Sequence, residues 1–152
     1  LSVLTTPTAG VTYGTNPIWV WHEETGDAPG HGNIRDVPPW REALRTEGIE
    51  GMSVLRSILG QVEWWRLRPA QGILGQQPGE TDPRHWVAVA ATDSGNLVVA
   101  YMPAGGEVVL SGDLPQGAVW RDPRNGATAP ATGVDGRFTA PDERDWVLML
   151  TE

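Results

Sequence analysis

The sequence predicts an α+β chain of two unlike parts, the last β/α unit of a β/α barrel followed by an all-β sandwich of seven or eight short strands. Three observations carry that expectation. Near the start, Gly10-Val-Thr-Tyr-Gly-Thr-Asn-Pro-Ile-Trp-Val-Trp-His22 sets an aromatic and polar cluster just after a short apolar segment, as where a barrel strand gives way to its loop. Near Pro69 the hydrophobic period changes from helical to alternating. The closing stretch, Asp145-Trp-Val-Leu-Met-Leu150, reads as a strand of an all-β domain.

Residues 1–14 read as the end of an element and then a short buried strand. Leu1, Val3 and Leu4 are apolar, Pro7 and Gly10 break the pattern, and Val11-Thr-Tyr13 favours extended backbone. Residues 15–37 form a long polar loop, of a length more often functional than accidental. A helix is expected from Pro38-Pro39-Trp40, with Asp36 as its cap, proline in the first turn and Glu42 complementing the dipole. Gly48 and Gly51 interrupt it. Met52, Leu55, Leu59 and Val62 then recur at spacings of three and four, one apolar stripe that stops before Trp64-Trp65.

From about residue 71 the strands follow in order. Trp86–Ala91 and Leu97–Met102 are joined across Asp93-Ser-Gly-Asn96, Glu107–Leu110 is a third, and Gly117–Arg121 a fourth. Asn125-Gly126 and Asp135-Gly136 tolerate positive φ at both turn centres, so each marks a hairpin. Asp145–Thr151 supplies the last strand. The division that results is a barrel end over 1–63, a short apolar linker over 64–70, and the sandwich over 71–152.

Composition narrows the chemistry. The chain has 152 residues, a formal charge of -8, no cysteine, and arginine as its only strongly basic residue type. Disulfides and thiolate metal sites are excluded, and an acidic surface makes nucleic acid and anionic membranes poor partners. No stretch is long and apolar enough to span a bilayer as a helix, and no signal peptide is visible. Eight tryptophans stand against one phenylalanine. Tryptophan fills cores, but it also offers a flat apolar face with a polar N–H at its edge.

The residues assembled so far resemble the C-terminal third of the apiosidase-like glycoside hydrolases. In that family a TIM-type (β/α)8 barrel precedes an immunoglobulin-like sandwich named for collagen binding. The matching stretches in the first half are Gly10-x-Thr-Tyr-Gly14 with Trp19, Pro39-Trp-Arg-Glu-Ala-Leu44, Gly51-Met52 with Leu55, and Trp64-Trp65-x-Leu67-x-Pro69. In the second half they are Val99-x-Tyr-x-Pro103, Trp120-x-Asp-Pro-Arg-x-Gly126 and Asp145-Trp-Val-Leu-x-Leu150. The chain departs from the family at Val11, where a histidine often precedes Thr-Tyr-Gly, at Thr15-Asn16, where histidines or asparagines often follow it, and at Pro7, where small helix-end residues are usual. The resemblance implies a bacterial enzyme acting on side chains of plant or other polysaccharides, in an extracellular or periplasmic setting. It implies no cofactor, and catalytic carboxylates on earlier barrel strands, upstream of Leu1, so that the missing N-terminal barrel is this chain's partner.

Barrel enzymes build their sites from the loops at the C-terminal ends of strands. With residues 10–14 as the last strand, Tyr13, Asn16, Trp19, Trp21 and His22 are the candidate substrate-binding residues. Trp19 and Trp21 share a face if the loop is extended. The plainer reading is that these tryptophans only pack. Glycoside hydrolysis needs two carboxyl groups flanking one bond. Glu23 and Glu24 are adjacent and point apart in extended backbone, while Asp27 and Asp36 suit turn and cap roles, so no catalytic residue is assigned. His22-Glu23-Glu24 lacks the second histidine of a zinc motif, and His31 and His85 have no partner at ligand spacing, so no metal is assigned either. Arg66 and Arg68 either meet an acidic sugar or cover the joint with wet heads and buried stems. The rival is a non-catalytic module binding glycan or collagen, which exposed aromatics on one sandwich face would favour. Trp86, Trp120 and Trp146 sit in apolar strand contexts and read as core. A purely structural interaction domain is the third reading.

Overall fold

The computed structural model describes residues 2–6, 8–28 and 34–152. Leu1, Pro7 and His31, singled out above, lie outside them. The chain forms two compact units, one of residues 1–11 with 54–152 and the other of residues 12–53.

The first unit is organised by nine strands among the described residues. They are β1 (Arg68–Pro69), β2 (Ala88–Ala91), β3 (Leu97–Met102), β4 (Glu107–Val109), β5 (Gly117–Arg121), β6 (Thr128–Pro130), β7 (Gly133–Val134), β8 (Arg137–Thr139) and β9 (Trp146–Thr151). Six pair as β1-β2-β3-β9-β5-β6 and three as β4-β8-β7, every pairing antiparallel. Asn125-Gly126 and Asp135-Gly136 do turn the chain where expected. Gly126 and Gly136 have φ of 78° and 74°, the left-handed region that glycine enters without strain.

Alternation along the strands divides the buried side chains between two clusters. Val89, Val98, Ala100, Met102, Trp120, Leu148 and Leu150 of the large sheet meet Val108 and Phe138 of the small one, so the two sheets share a core. The opposite face of the large sheet, with Ala88, Ala90, Val99 and Met149, is covered by Leu4, Ile58 and Leu67. Strands β2, β3 and β9 are therefore buried on both faces, which explains why they read as near-continuous apolar runs.

Leu4 belongs to α1 (Ser2–Thr5), and Ile58 to α4 (Glu47–Leu59). The buried residue on α4 is Ile58, with Val54 beside it, one residue round from Leu55 and Leu59 of the predicted stripe. Val62, the stripe's last member, packs on the same cluster just past the end of the helix, and Leu55 and Leu59 line a cavity together with Ile58. Gly48 and Gly51 do not interrupt the helix, since α4 runs through both. The first accommodates a neighbour: a Cβ at Gly48 would lie 2.3 Å from Cζ of Tyr13.

The second unit holds α2 (Asn16–Trp19), α3 (Trp40–Ala43) and the first half of α4. Val11-Thr-Tyr13 is not a buried strand. It pairs with no strand among the described residues, and Val11 is exposed. A barrel strand acquires its hydrogen bonds only from flanking strands. Residues 15–37 are not wholly loop: Pro17, in the first turn of α2, is preset for helix and is buried. Asp36 does not cap α3. Its φ is 52°, and Pro39 takes the cap position without a side-chain bond. The loop closes on itself through Gly26 and Val37, whose amides and carbonyls exchange bonds of 3.2 and 2.8 Å.

Candidate functional site

The five predicted site residues all fall in the 12–53 unit, and four of them are held by local devices. Tyr13 lies against Gly48, as described. The Trp19 indole lies on Gly14, where a Cβ would come within 2.4 Å of ring atom Cζ2, so only glycine permits that seat. Trp21 has φ of 50° and meets Trp40 edge to face, with centroids 4.9 Å apart and planes at 76°. His22 uses Nε2 on the Asp27 carbonyl at 3.2 Å, and its own carbonyl accepts the Trp40 N–H at 2.7 Å.

Asn16 differs from the rest. Its side-chain oxygen and nitrogen are both shielded from solvent and meet no hydrogen-bond partner among the described residues. Nδ1 of His22 and Oγ1 of Thr46 are in the same position. A buried polar atom left unpaired costs about 1–3 kcal/mol, so such atoms are rare without a reason.

The expected shared face of Trp19 and Trp21 is not found, because Trp19 closes a helical turn and Trp21 sits in left-handed backbone. Both rings are nonetheless open, 62% and 64% accessible. Trp40 and Arg41 figure in the sequence reading only as a helix start and a family-like stretch, not as site residues. The Arg41 guanidinium stands 4.4 Å from the Trp40 ring centroid, a cation stacked on an aromatic that also carries Trp21. Their adjacency in Pro39-Trp-Arg was the available signal.

Two further groups lie in the first unit. Arg66 pairs with Glu63 at 3.0 Å, and Arg68 donates to the Leu67 and Trp65 carbonyls at 2.8 and 3.2 Å, so both are occupied locally. The Trp120-x-Asp-Pro-Arg-x-Gly126 and Asp145-Trp stretches meet in one network. Asp122, buried, accepts from the Arg124 backbone N–H at 2.8 Å, from its Nε at 2.9 Å and from Asn125 Nδ2 at 3.3 Å. Arg124 goes on to Asp145, whose other oxygen accepts from Tyr101 at 3.4 Å, and it stands over the Trp146 ring. Burial works to raise the Asp122 pKa, but the Arg124 hydrogen bonds and charge outweigh it and hold the carboxyl below its ordinary value. Burial, with Asp145 beside it, raises Tyr101. Next to this network a cavity of about 280 Å³ is lined by Leu4, Val11, Leu55, Leu59, Tyr101 and Asp145, among others.

Trp120 and Trp146 are core, as expected, but Trp86 is not: it is 39% accessible. Strand β2 begins only at Ala88, because the 3-10 turn Pro83–His85 delivers Trp86 to the rim of the sheet. His85 Nδ1 lies 3.2 Å from Asp82. Among the described residues no three His, Asp or Glu side chains are placed to hold a metal ion.

Residues 1–66 match the sequence model of the apiosidase-like catalytic domain. No curated protein matches the chain. Among solved structures, one named a glycoside hydrolase superposes on 94% of this chain with a TM-score of 0.67 and 19% identity. A glycoside hydrolase family 5 protein from Bacteroides vulgatus ATCC 8482 does so with a TM-score of 0.71 and 18% identity, again over 94%. At these identities the likeness is one of fold. This chain spans about a third of each of those structures, 33% and 32%. The resemblance to apiosidase-like glycoside hydrolases therefore holds over the first 66 residues, and the fold of a glycoside hydrolase portion over nearly the whole chain.

Proposed function

We propose that this chain is a portion of an apiosidase-like glycoside hydrolase, contributing an aromatic substrate wall and an accessory β domain. Residues 1–63 are the last unit of its (β/α)8 barrel, 64–70 a short joint, and 71–152 an immunoglobulin-like sandwich. The catalytic-domain match ends at residue 66, at that joint, which supports the division. The carboxyl pair is supplied by segments outside this sequence, in keeping with neighbours three times as long. The substrate is a side chain of a plant or other polysaccharide, a polymer met outside the cytoplasm, and this puts the enzyme in an extracellular or periplasmic setting.

The carrying observation is Trp19: a ring seated on Gly14, open on the surface, within the stretch that matches the catalytic domain. A fixed indole presents a flat apolar face to a sugar ring at little entropic cost. Tyr13, Trp21, His22 and the unpartnered Asn16 amide supply the polar and aromatic surroundings. The test is Trp19→Ala in the full-length enzyme, with kcat/KM read beside Tm. Loss of about tenfold in kcat/KM is expected for a stacked aromatic, with Tm unchanged. Equal loss of both, or unchanged kinetics, removes Trp19 from the site.

A further inference from the structure

A groove of about 380 Å³ beside Trp86, far along the chain from the aromatic wall, is built from side chains that the proposed catalytic role leaves unused. Two of its glutamines are structural. Gln71 accepts from the Val89 N–H at 2.8 Å and donates to the Val87 carbonyl at 2.7 Å. Gln77 accepts from Val87 N–H at 2.9 Å and from Gly79 N–H at 3.0 Å, and donates to the Val87 carbonyl at 2.8 Å. These bonds fix the walls.

The remaining groups are uncommitted. Trp86 is locked, since a Cβ at Gly79 would fall 2.5 Å from its Cα and 2.9 Å from ring atom Cε3, yet the ring is part open to the groove. Among the described residues its indole N–H has no acceptor, and the Gln76 amide and Glu80 carboxylate, both exposed, have no partner. A rigid aromatic face edged by one N–H donor, one amide and one carboxylate is the chemistry that recognises a pyranose: C–H groups on the ring face, hydroxyls on the polar rim. No basic side chain lines the groove, and Arg84, nearby in sequence, is paired to Asp82 at 2.8 Å. A negatively charged sugar would meet Glu80 uncompensated.

We propose that the Trp86 groove binds a neutral oligosaccharide, as a second glycan site separate from the aromatic wall of residues 12–53.

The experiment follows the tryptophan indole N–H signals of the whole chain by NMR during titration with xylohexaose, cellohexaose, tetragalacturonate and a triple-helical collagen peptide. A saturable shift of the Trp86 signal with a neutral hexasaccharide is expected, with Kd of about millimolar or tighter, as for a shallow site. Trp86→Ala should abolish binding, read by calorimetry because the reporter signal is lost with the side chain. Because that change also removes the seat on Gly79, Gln76→Ala and Glu80→Gln serve as independent tests. Each should weaken binding about threefold or more at unchanged Tm, the cost of one hydrogen bond. Trp19→Ala should leave Kd unaltered, which separates this site from the proposed substrate wall. The proposal is overturned if neither neutral sugar saturates the signal, if the Gln76 and Glu80 variants bind normally, if Trp19→Ala abolishes binding, or if tetragalacturonate or the collagen peptide binds more tightly.

Discussion

Replacing Arg124 by alanine should show how much the Asp122 network stabilises the β unit. Asp122 would keep its burial, with the side chain only 7% accessible, and lose the guanidinium 2.9 Å away. Breaking a fully buried pair by removing one partner costs about 3–5 kcal/mol. Arg124 is 31% accessible and Asp122 retains two hydrogen bonds, the Arg124 backbone N–H among them, so about 2–3 kcal/mol is the expectation here. At about 2–4 °C per kcal/mol for a chain of this size, Tm should fall by about 4–12 °C at pH 7. The pH dependence gives a sharper check. Because the folded carboxyl of Asp122 titrates below its unfolded value of 3.8, its contribution is present above pH 3.8 and fades as pH falls through the lower folded value. Without Arg124, burial would push that carboxyl upward, and protonation would relieve it. The gap between wild type and Arg124→Ala in calorimetric Tm should therefore narrow from pH 7 to pH 3. A gap below about 1 °C at pH 7, or one that widens on acidification, would refute the reasoning.

The two helix glycines make a paired prediction. Gly51→Ala meets open space and should gain about 0.5–1 kcal/mol in urea unfolding, whereas Gly48→Ala strikes the Tyr13 ring and should lose stability. In a Tyr13→Ala background Gly48→Ala should turn stabilising, a sign reversal read by a double-mutant cycle. A fragment of residues 71–152 should be less stable than one of 54–152. It lacks Ile58, Leu67 and β1, which cover one face and one edge of the large sheet, and equal urea midpoints would contradict this.

Strand content was legible wherever local pattern and tertiary role agree. Leu97–Met102 and Gly117–Arg121 read true to the residue, and the two glycine turns followed from their need for positive φ. Failures came where a distant partner decides. Nothing local says that Tyr13 needs the space over Gly48 and so admits a glycine to a helix. The turn that takes Trp86 out of β2 did have a local signal, Asp82 capping Pro83–His85, which the apolar run after it masked. The aromatic wall was half legible. Trp19 and Trp21 were visible by position, but the stack of Trp21, Trp40 and Arg41 joins residues separated by a loop and exists only in three dimensions.

The glutamine bonds to Val87 and Val89 also govern what this protein avoids. Beyond its two-residue pairing with β1, the edge of β2 would present bare amides and carbonyls to any passing strand. Gln71 and Gln77 answer those groups with side-chain amides that copy the donor and acceptor of a peptide. At this end of β2 the ladder thus stops: Val87 and Val89 offer no rung on which a second molecule could begin to stack, although the strand is apolar enough to invite it.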